Sequence, residues 1–419
     1  MRILYISHGY PPREGAGTEQ HCRLLVEAMR ARGHHVGVIA ATRDPGRRHG
    51  EVYVEAPGLW RITSNFPARP LSGRERDPAI AARIRRIAES FQPDVVHVHH
   101  LQFLCSTLRF AAPTVFTLHD GWTWCAAGGT ELLPDGRVCP GPEPERCAPC
   151  AASWRPMPTR TAGALVAIAG RLSPWVDSDR LHGLWKLLPD GLRRRIAVRK
   201  APAPADPPEA AAARNKAMLE FAEGTAAIVS PSAYLAGRAE AQGLPCPVVI
   251  PHGINERFPR IGGGGFLFLG TMAPHKGPDL VSAAHRRAFG SGGPPLRLHG
   301  SSGGCRPPHH RAEPPLAREE VWRALQRADA LVMGSKWAEN APMVILEARA
   351  CGCPVIAPAL GGIPELVEDG TDGFLYGPGD EESLAEAMLR VARGPALPVR
   401  PPPALDGQLD HLEQLYGSL

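Results

Sequence analysis

Short, almost wholly apolar runs alternate along this chain with longer stretches of helical periodicity, and that alternation restricts the fold more than any other feature. Residues 2–8 form the first run. A Gly/Pro-rich loop follows at 9–17, then an amphipathic segment with Leu24, Leu25, Ala28 and Met29 on one face, closed by Gly33. HVGVIA (35–40) resumes the extended pattern, which completes a βαβ unit. DVVHVH (94–99), PTVFTLH (113–119), AAIVS (226–230) and PVVI (247–250) continue the series. Runs without polar alternation suit parallel strands covered by helices on both faces. A second series comprises FLFLG (266–270), LRLHG (296–300), DALVM (329–333), PVIAP (354–358) and GFLY (373–376). Helical stretches lie between these around 277–289, 318–328, 342–351 and 380–393. The pattern predicts an α/β fold of two Rossmann-like, doubly wound domains facing a central cleft. The first spans 1–250 and carries a Cys-rich and helical insertion at about 120–222; 251–264 is the hinge. The second spans 265–395, and 396–419 is a linker and helix that could cross back to the first domain.

Ligands of such sheets bind beyond the carboxyl ends of the strands, so the loops there carry the candidate chemistry. EGAGTE (14–19) lies between a strand and a helix; its glycines would let a phosphate approach the backbone, though alone it reads equally as a tight turn. In WAENAPMVILEARACGCPVIAP (337–358), Pro342 suits a first helical position, which predicts a helix starting near Ala341. Glu339 would precede that helix and Glu347 lie inside it, with unpaired N–H groups near Met343 and Val344. A diphosphate fits there with a carboxylate on either side; a capping acid and a surface acid are the plain alternative. GTMAPHKG (270–277) places Lys276 just before a helix. The chain has only five lysines among 47 basic residues, so this one stands out as a phosphate partner. TLHD (117–120) ends a strand with His119 toward the cleft.

In this order, the four motifs resemble the retaining glycosyltransferases of the GT4 type, which have the GT-B fold. The run GGIPELVEDGTDGFLYGPGD (361–380) is similar as well. The resemblance implies transfer of a sugar from a nucleoside diphosphate-sugar, UDP or GDP, to a hydroxyl acceptor, with no catalytic metal. It assigns His119, Glu339 and Lys276 to catalysis. It assigns Gly15, Ala16, Gly17, Thr271, Asn340, Pro342, Met343, Val344 and Glu347 to donor binding, with Glu347 on the ribose. Thr271 stands where many relatives carry an arginine, so Lys276 and the helix-end amides must do more to hold the diphosphate, or another arginine enters from elsewhere.

Cys125, Cys139, Cys147 and Cys150 form C-x13-C-x7-C-x2-C within a segment rich in turn formers. A structural zinc would order such a loop; free thiols, disulfides or an iron–sulfur cluster are the other readings. The resemblance extends to a subset of GT4 enzymes with a comparable insertion. A net charge of +5 does not suggest a nucleic-acid partner. No run reaches the ~20 apolar residues of a membrane span, and MRILYISH reads as a strand rather than a signal peptide, so a cytoplasmic protein is expected. LHGLWKLLPDGLRRRIAVRK (181–200) offers a Leu/Trp face and arginines for peripheral membrane contact, compatible with a glycolipid acceptor. Acceptors of the family are small molecules, glycans and glycolipids, and a natural product or surface glycan is expected. An epimerase or phosphorylase on the same fold, or a peripheral membrane glycolipid-binding module, are the alternatives.

Overall fold

The computed structural model describes residues 1–44, 46–64, 76–153 and 207–419. The first half runs β1 (Arg2–Ser7), α1 (Gly17–Ala31), β2 (His35–Thr42), β3 (Val52–Ala56), β4 (Leu59–Thr63), α2 (Pro78–Phe91), β5 (Val95–Val98) and β6 (Thr114–Thr117). It continues with α3 (Pro144–Ser153), α4 (Pro208–Glu223), β7 (Ala227–Ser230), α5 (Ala233–Glu240) and β8 (Val248–Val249). These strands form one sheet in the order β3-β4-β2-β1-β5-β6-β7-β8, parallel except for β3. The expected apolar runs are strands because both faces are covered. Ile3, Tyr5, Leu25 and Met29 fill one side, and Leu4, Ile6, Ile84 and Trp124 the other. The β3–β4 hairpin, α2 and α5 were not among the expected elements. β3 is half exposed at a sheet edge, so it lacks the solid apolar signal of the central strands.

The second half runs β9 (Phe266–Leu269), α6 (Pro278–Phe289), β10 (Leu296–His299), β11 (Ala312–Glu313), α7 (Arg318–Arg327) and β12 (Ala330–Val332). It ends with α8 (Met343–Ala350), β13 (Val355–Pro358), α9 (Ile363–Leu366), β14 (Gly373–Tyr376), α10 (Glu381–Arg393) and α11 (Leu405–Gly417). Its sheet is fully parallel, in the order β11-β10-β9-β12-β13-β14. Each sheet reverses its winding once, beside β1 and β5 in the first and beside β9 and β12 in the second. The loops after those strands open a crevice on each sheet.

Helix α11 crosses back to the first half. Leu405, Leu409, Leu412 and Tyr416 are buried in the same core as Ile3 and Tyr5. Arg32 pins the helix through Asp406 (3.0 Å), Asp410 (2.6 Å) and Glu413 (2.7 Å). The two chain crossings run together: the Ile254 amide donates to the Pro403 carbonyl at 3.0 Å, and the Leu405 amide to Asn255 Oδ1 at 2.9 Å. Among the described residues, no helix is long and apolar enough to cross a membrane.

Candidate active site

The ends of β1, β5, β6, β9 and β12 converge on one continuous cleft between the two sheets. One part is lined by Gly15, Ala16, Gly17, Lys276, Glu339 and the start of α8 through Glu347; the other holds His8, Glu19, His100, His119 and Asp120. Ala16, Gly17, Lys276, Glu339, Pro342 and Met343 border both.

Two helix N-termini aim into the first part. Helix α1 makes its first internal bond from the Gln20 amide to the Ala16 carbonyl (3.0 Å), so the preceding N–H groups have no partner in the helix. Helix α8 starts at Met343, two residues later than expected. Pro342 is extended (ψ 117°) because Asn340 is held from both sides, by the Ser232 hydroxyl and by the His119 carbonyl (3.2 Å). Neither helix has a side-chain cap, which leaves both ends to an anion. A Cβ on Gly17 would meet nothing within 4 Å, so the space before that helix is open to a ligand. Glu14 is not available to one. Buried Arg61 of β4 grips Glu14 (3.0 Å) and Glu55 (2.5 Å) and donates to the Tyr10 carbonyl (2.8 Å), fixing the Gly-rich loop from below.

Lys276 follows β9 and is placed by Gly277. That glycine has φ 62°, and a Cβ there would lie 1.9 Å from the Gly334 carbonyl oxygen of the loop after β12. The two loops therefore touch backbone to backbone, and Lys276 Nζ reaches Glu339 Oε1 at 2.9 Å. Ser335 also donates to that oxygen. Burial alone would raise the Glu339 carboxyl, but the Lys276 charge and the hydrogen bonds from Lys276 and Ser335 outweigh it and hold the pKa below the usual range. Lys276 also sits 5.0 Å from the Trp337 ring centre.

Glu347 faces the same space from within α8. Burial raises its pKa, and the nearby Arg318 guanidinium offsets this only in part. Arg318, at the start of α7, is ion-paired to Glu347, stacks on Trp322 at 4.6 Å and lines the cleft. Sequence reasoning missed this arginine, because no local pattern around 318 marks it and its partner Glu347 lies 29 residues away. Thr271 is not brought to the cleft: it is exposed, and its hydroxyl accepts from Ser301 at 3.3 Å. Lys336 turns away to Asp279 (2.8 Å).

His119 lines the second part, with Nε2 3.0 Å from His99 Nδ1. Glu19 is paired with His8 (3.1 Å) and Asp120 with His100 (3.7 Å). Asp120 also accepts from the Trp122 amide (2.8 Å), which shapes the turn after His119. His8, Glu19, His100 and Asp120 join the site only through packing of the strand ends.

The four cysteines line one small apolar cavity beside Trp124 and Leu132. No three of their sulfurs lie within 4.8 Å of one another. Cys139 Sγ donates to the Gly141 carbonyl (3.2 Å), and Cys147 Sγ accepts from the Glu143 amide (3.2 Å). Tetrahedral zinc with sulfurs at 2.3 Å needs those sulfurs about 3.8 Å apart. This arrangement gathers the cysteines but does not fit that centre. The expected membrane face, 181–200, lies outside the described residues.

The profile described as "Glycosyl transferases group 1" matches residues 309–401, and that described as "Glycosyltransferase Family 4" matches residues 15–137. A D-inositol 3-phosphate glycosyltransferase of Mycolicibacterium paratuberculosis is 27% identical, over 92% of this chain and 80% of its own length. One of Streptomyces griseus is 32% identical over 40% of this chain and 36% of its own. Among solved structures, sucrose-phosphate synthase from Thermosynechococcus elongatus has a TM-score of 0.66 at 17% identity, covering 100% of this chain and 98% of that one. Anabaena HepE, solved with UDP-glucose, has a TM-score of 0.60 at 14% identity with full coverage of both. The profiles meet the Gly-rich loop and His119 in one half and Glu339 and Glu347 in the other, and the chain belongs to the group 1, GT4-type glycosyltransferases with the GT-B fold.

Proposed function

We propose that this glycosyltransferase moves a hexose from a UDP-sugar to an uncharged hydroxyl acceptor, with retention at the anomeric carbon. The observation that carries this is the convergence of two uncapped helix N-termini and Lys276 on one space, flanked by Glu339 and Glu347. The diphosphate lies against the helix ends and Lys276, Glu347 takes the ribose hydroxyls, and Glu339 and His119 orient the sugar. As the anomeric C–O bond to the diphosphate breaks, Lys276 and the amides stabilise the negative charge that develops. The acceptor hydroxyl attacks from the same face, and its proton passes to the departing phosphate oxygen. Glu19, Asp120 and Glu339 are each held by a cationic or imidazole partner, so none is poised as a covalent nucleophile. The solved relative bound to UDP-glucose supports the choice of nucleotide. Release of UDP only when acceptor is present, with a product of unchanged anomeric configuration by NMR, is the expected result. UDP release or sugar isomerisation without acceptor overturns it.

The relatives are named for an inositol phosphate, but the acceptor part of this cleft suits an uncharged compound. Among the described residues it is lined by Glu19 and Asp120, paired with His8 and His100, and by no arginine; its one lysine, Lys276, stands at the border with the donor part and is paired with Glu339. A phosphate monoester on an accepted polyol or glycoside should therefore lower kcat/KM by at least about tenfold, ~1.4 kcal/mol. Faster transfer to the phosphorylated member of matched pairs would count against this.

Arg318 supplies the cation that Thr271 does not. Arg318→Ala should raise the donor KM by about tenfold, ~1.4 kcal/mol. Without the guanidinium the Glu347 pKa rises further, so the increase should be larger at pH 6 than at pH 8. A KM unchanged at both pH values would remove Arg318 from the donor site.

A further inference from the structure

Beneath the acceptor part of the cleft, imidazoles pack against one another. His99 stacks between His97 and His119, with ring centres 4.5 and 5.2 Å away. His21 lies 3.6 Å from His252 and meets the His119 ring at 5.7 Å. His97 has both nitrogens engaged, with the Tyr416 hydroxyl (2.5 Å) and Thr117 Oγ1 (2.7 Å). The others do not. His99 Nε2 and His21 Nδ1 are buried with no hydrogen-bond partner. A buried polar atom left this way is costly, and such atoms are few in folded proteins. With Nδ1 of His99 facing His119, His99 Nε2 carries that ring's proton, so His21 Nδ1 is the unpartnered atom that a bound ion would engage.

One nitrogen from each of His21, His99 and His119 lies within 4.8 Å of the other two, and no other trio of His, Cys, Asp or Glu among the described residues does so. We propose that His21, His99 and His119 bind one divalent transition-metal ion of the imidazole-preferring kind, such as Ni²⁺, Co²⁺ or Zn²⁺, admitted from the cleft past His119. An ion bonded at about 2.1 Å needs ligand nitrogens about 3.0–3.4 Å apart for octahedral or tetrahedral angles. His99 Nδ1 and His119 Nε2 already stand 3.0 Å apart. The proton between them moves to the other nitrogen of one ring, so two uncharged imidazoles present lone pairs without net proton release. His21 is steadied by Gln408, whose Nε2 lies 3.0 Å from His21 Nε2 and 3.4 Å from His252 Nδ1. His119 is the only partly exposed member of the trio, so the open coordination position faces the cleft. A bound ion removes His119 from the sugar, so occupancy and transfer exclude each other. The ion site itself stands whether or not His119 contacts a substrate.

Ni²⁺ added to the full-length protein tests this. Calorimetry should show one equivalent bound, and X-ray absorption at the nickel edge should show nitrogen and oxygen ligands without sulfur. His21→Gln and His99→Gln should each weaken binding by more than about a hundredfold, beyond the 10–100-fold that loss of an outer partner brings. Anomalous diffraction from nickel-soaked wild-type crystals reads the site without any variant, and should place the ion between the three rings. No binding, sulfur ligation from the cysteine loop, an anomalous peak only elsewhere, or unchanged affinity in both folded variants would each overturn the proposal.

Discussion

Lys276→Ala and Glu339→Ala will each lower kcat/KM for transfer by about 10²–10³-fold, ~2.7–4 kcal/mol, the cost of losing one preorganised partner of a developing charge. Lys276 is the side-chain cation placed where both parts of the cleft meet, and Glu339 stands directly against it at 2.9 Å. The two act as one unit, so the double variant should lose far less than the product of the single effects. Lys276→Ala has a second consequence. It removes the charge that keeps Glu339 ionised despite burial, so its residual activity should fall further as the pH is lowered below neutral. Lys276→Arg should not restore the rate, because a planar guanidinium does not reproduce a compact ammonium in contact with Glu339. Circular dichroism should show the folded state retained in all of these. Near-wild-type rates in both single variants would refute the site.

A large loss of thermal stability is expected between pH 7 and pH 5. Burial pushes His21 down to about 4 and His97 to about 3, and holds His99, His119 and His252 well below the usual histidine value. Unfolded histidines titrate near 6.5. Below that value the unfolded chain takes up protons that the folded chain refuses, so stability is fully present above about pH 6.5 and falls as the pH drops toward 4. His21 alone contributes a loss of about 2 kcal/mol between pH 7 and pH 5. The remaining buried rings act in the same direction. Helix α11 is the part most exposed to this effect, because Tyr416 and Gln408 hold it on His97 and His21. Thermal unfolding followed by circular dichroism should show the midpoint dropping steeply over this range. A flat profile would mean that the histidines are not neutral in the fold.

The strands of both sheets were legible because a parallel strand covered on both faces is apolar at nearly every position. Helices α1, α6, α7, α8, α10 and α11 were legible because their buried faces repeat at the helical period, whereas α2, α5 and the short α9 were not picked out. The β3–β4 hairpin escaped because an edge strand is only half buried and has no such continuous run. Lys276 and Glu339 could be picked out because each sits just before a helix start, where a charged group has a local reason to be, and Glu347 because it lies one turn inside the second of those helices.

Other parts of the site had no local signature. Arg318 meets Glu347 across the sheet, and Arg61 meets Glu14 beneath the loop, at separations that no periodicity encodes. The histidines of the buried cluster come from α1, the ends of β5 and β6, and the crossing segment after β8, and only the winding of the sheet stacks them. The cysteine spacing matched a metal ligand set, yet no three of the sulfurs stand within 4.8 Å of one another, because spacing limits reach without directing side chains. Composition and periodicity thus specify which segments are strands and helices, since burial acts residue by residue. Which side chains become neighbours in the cleft is chosen by how the two sheets wind and face each other, since that choice brings distant strand ends within bonding range.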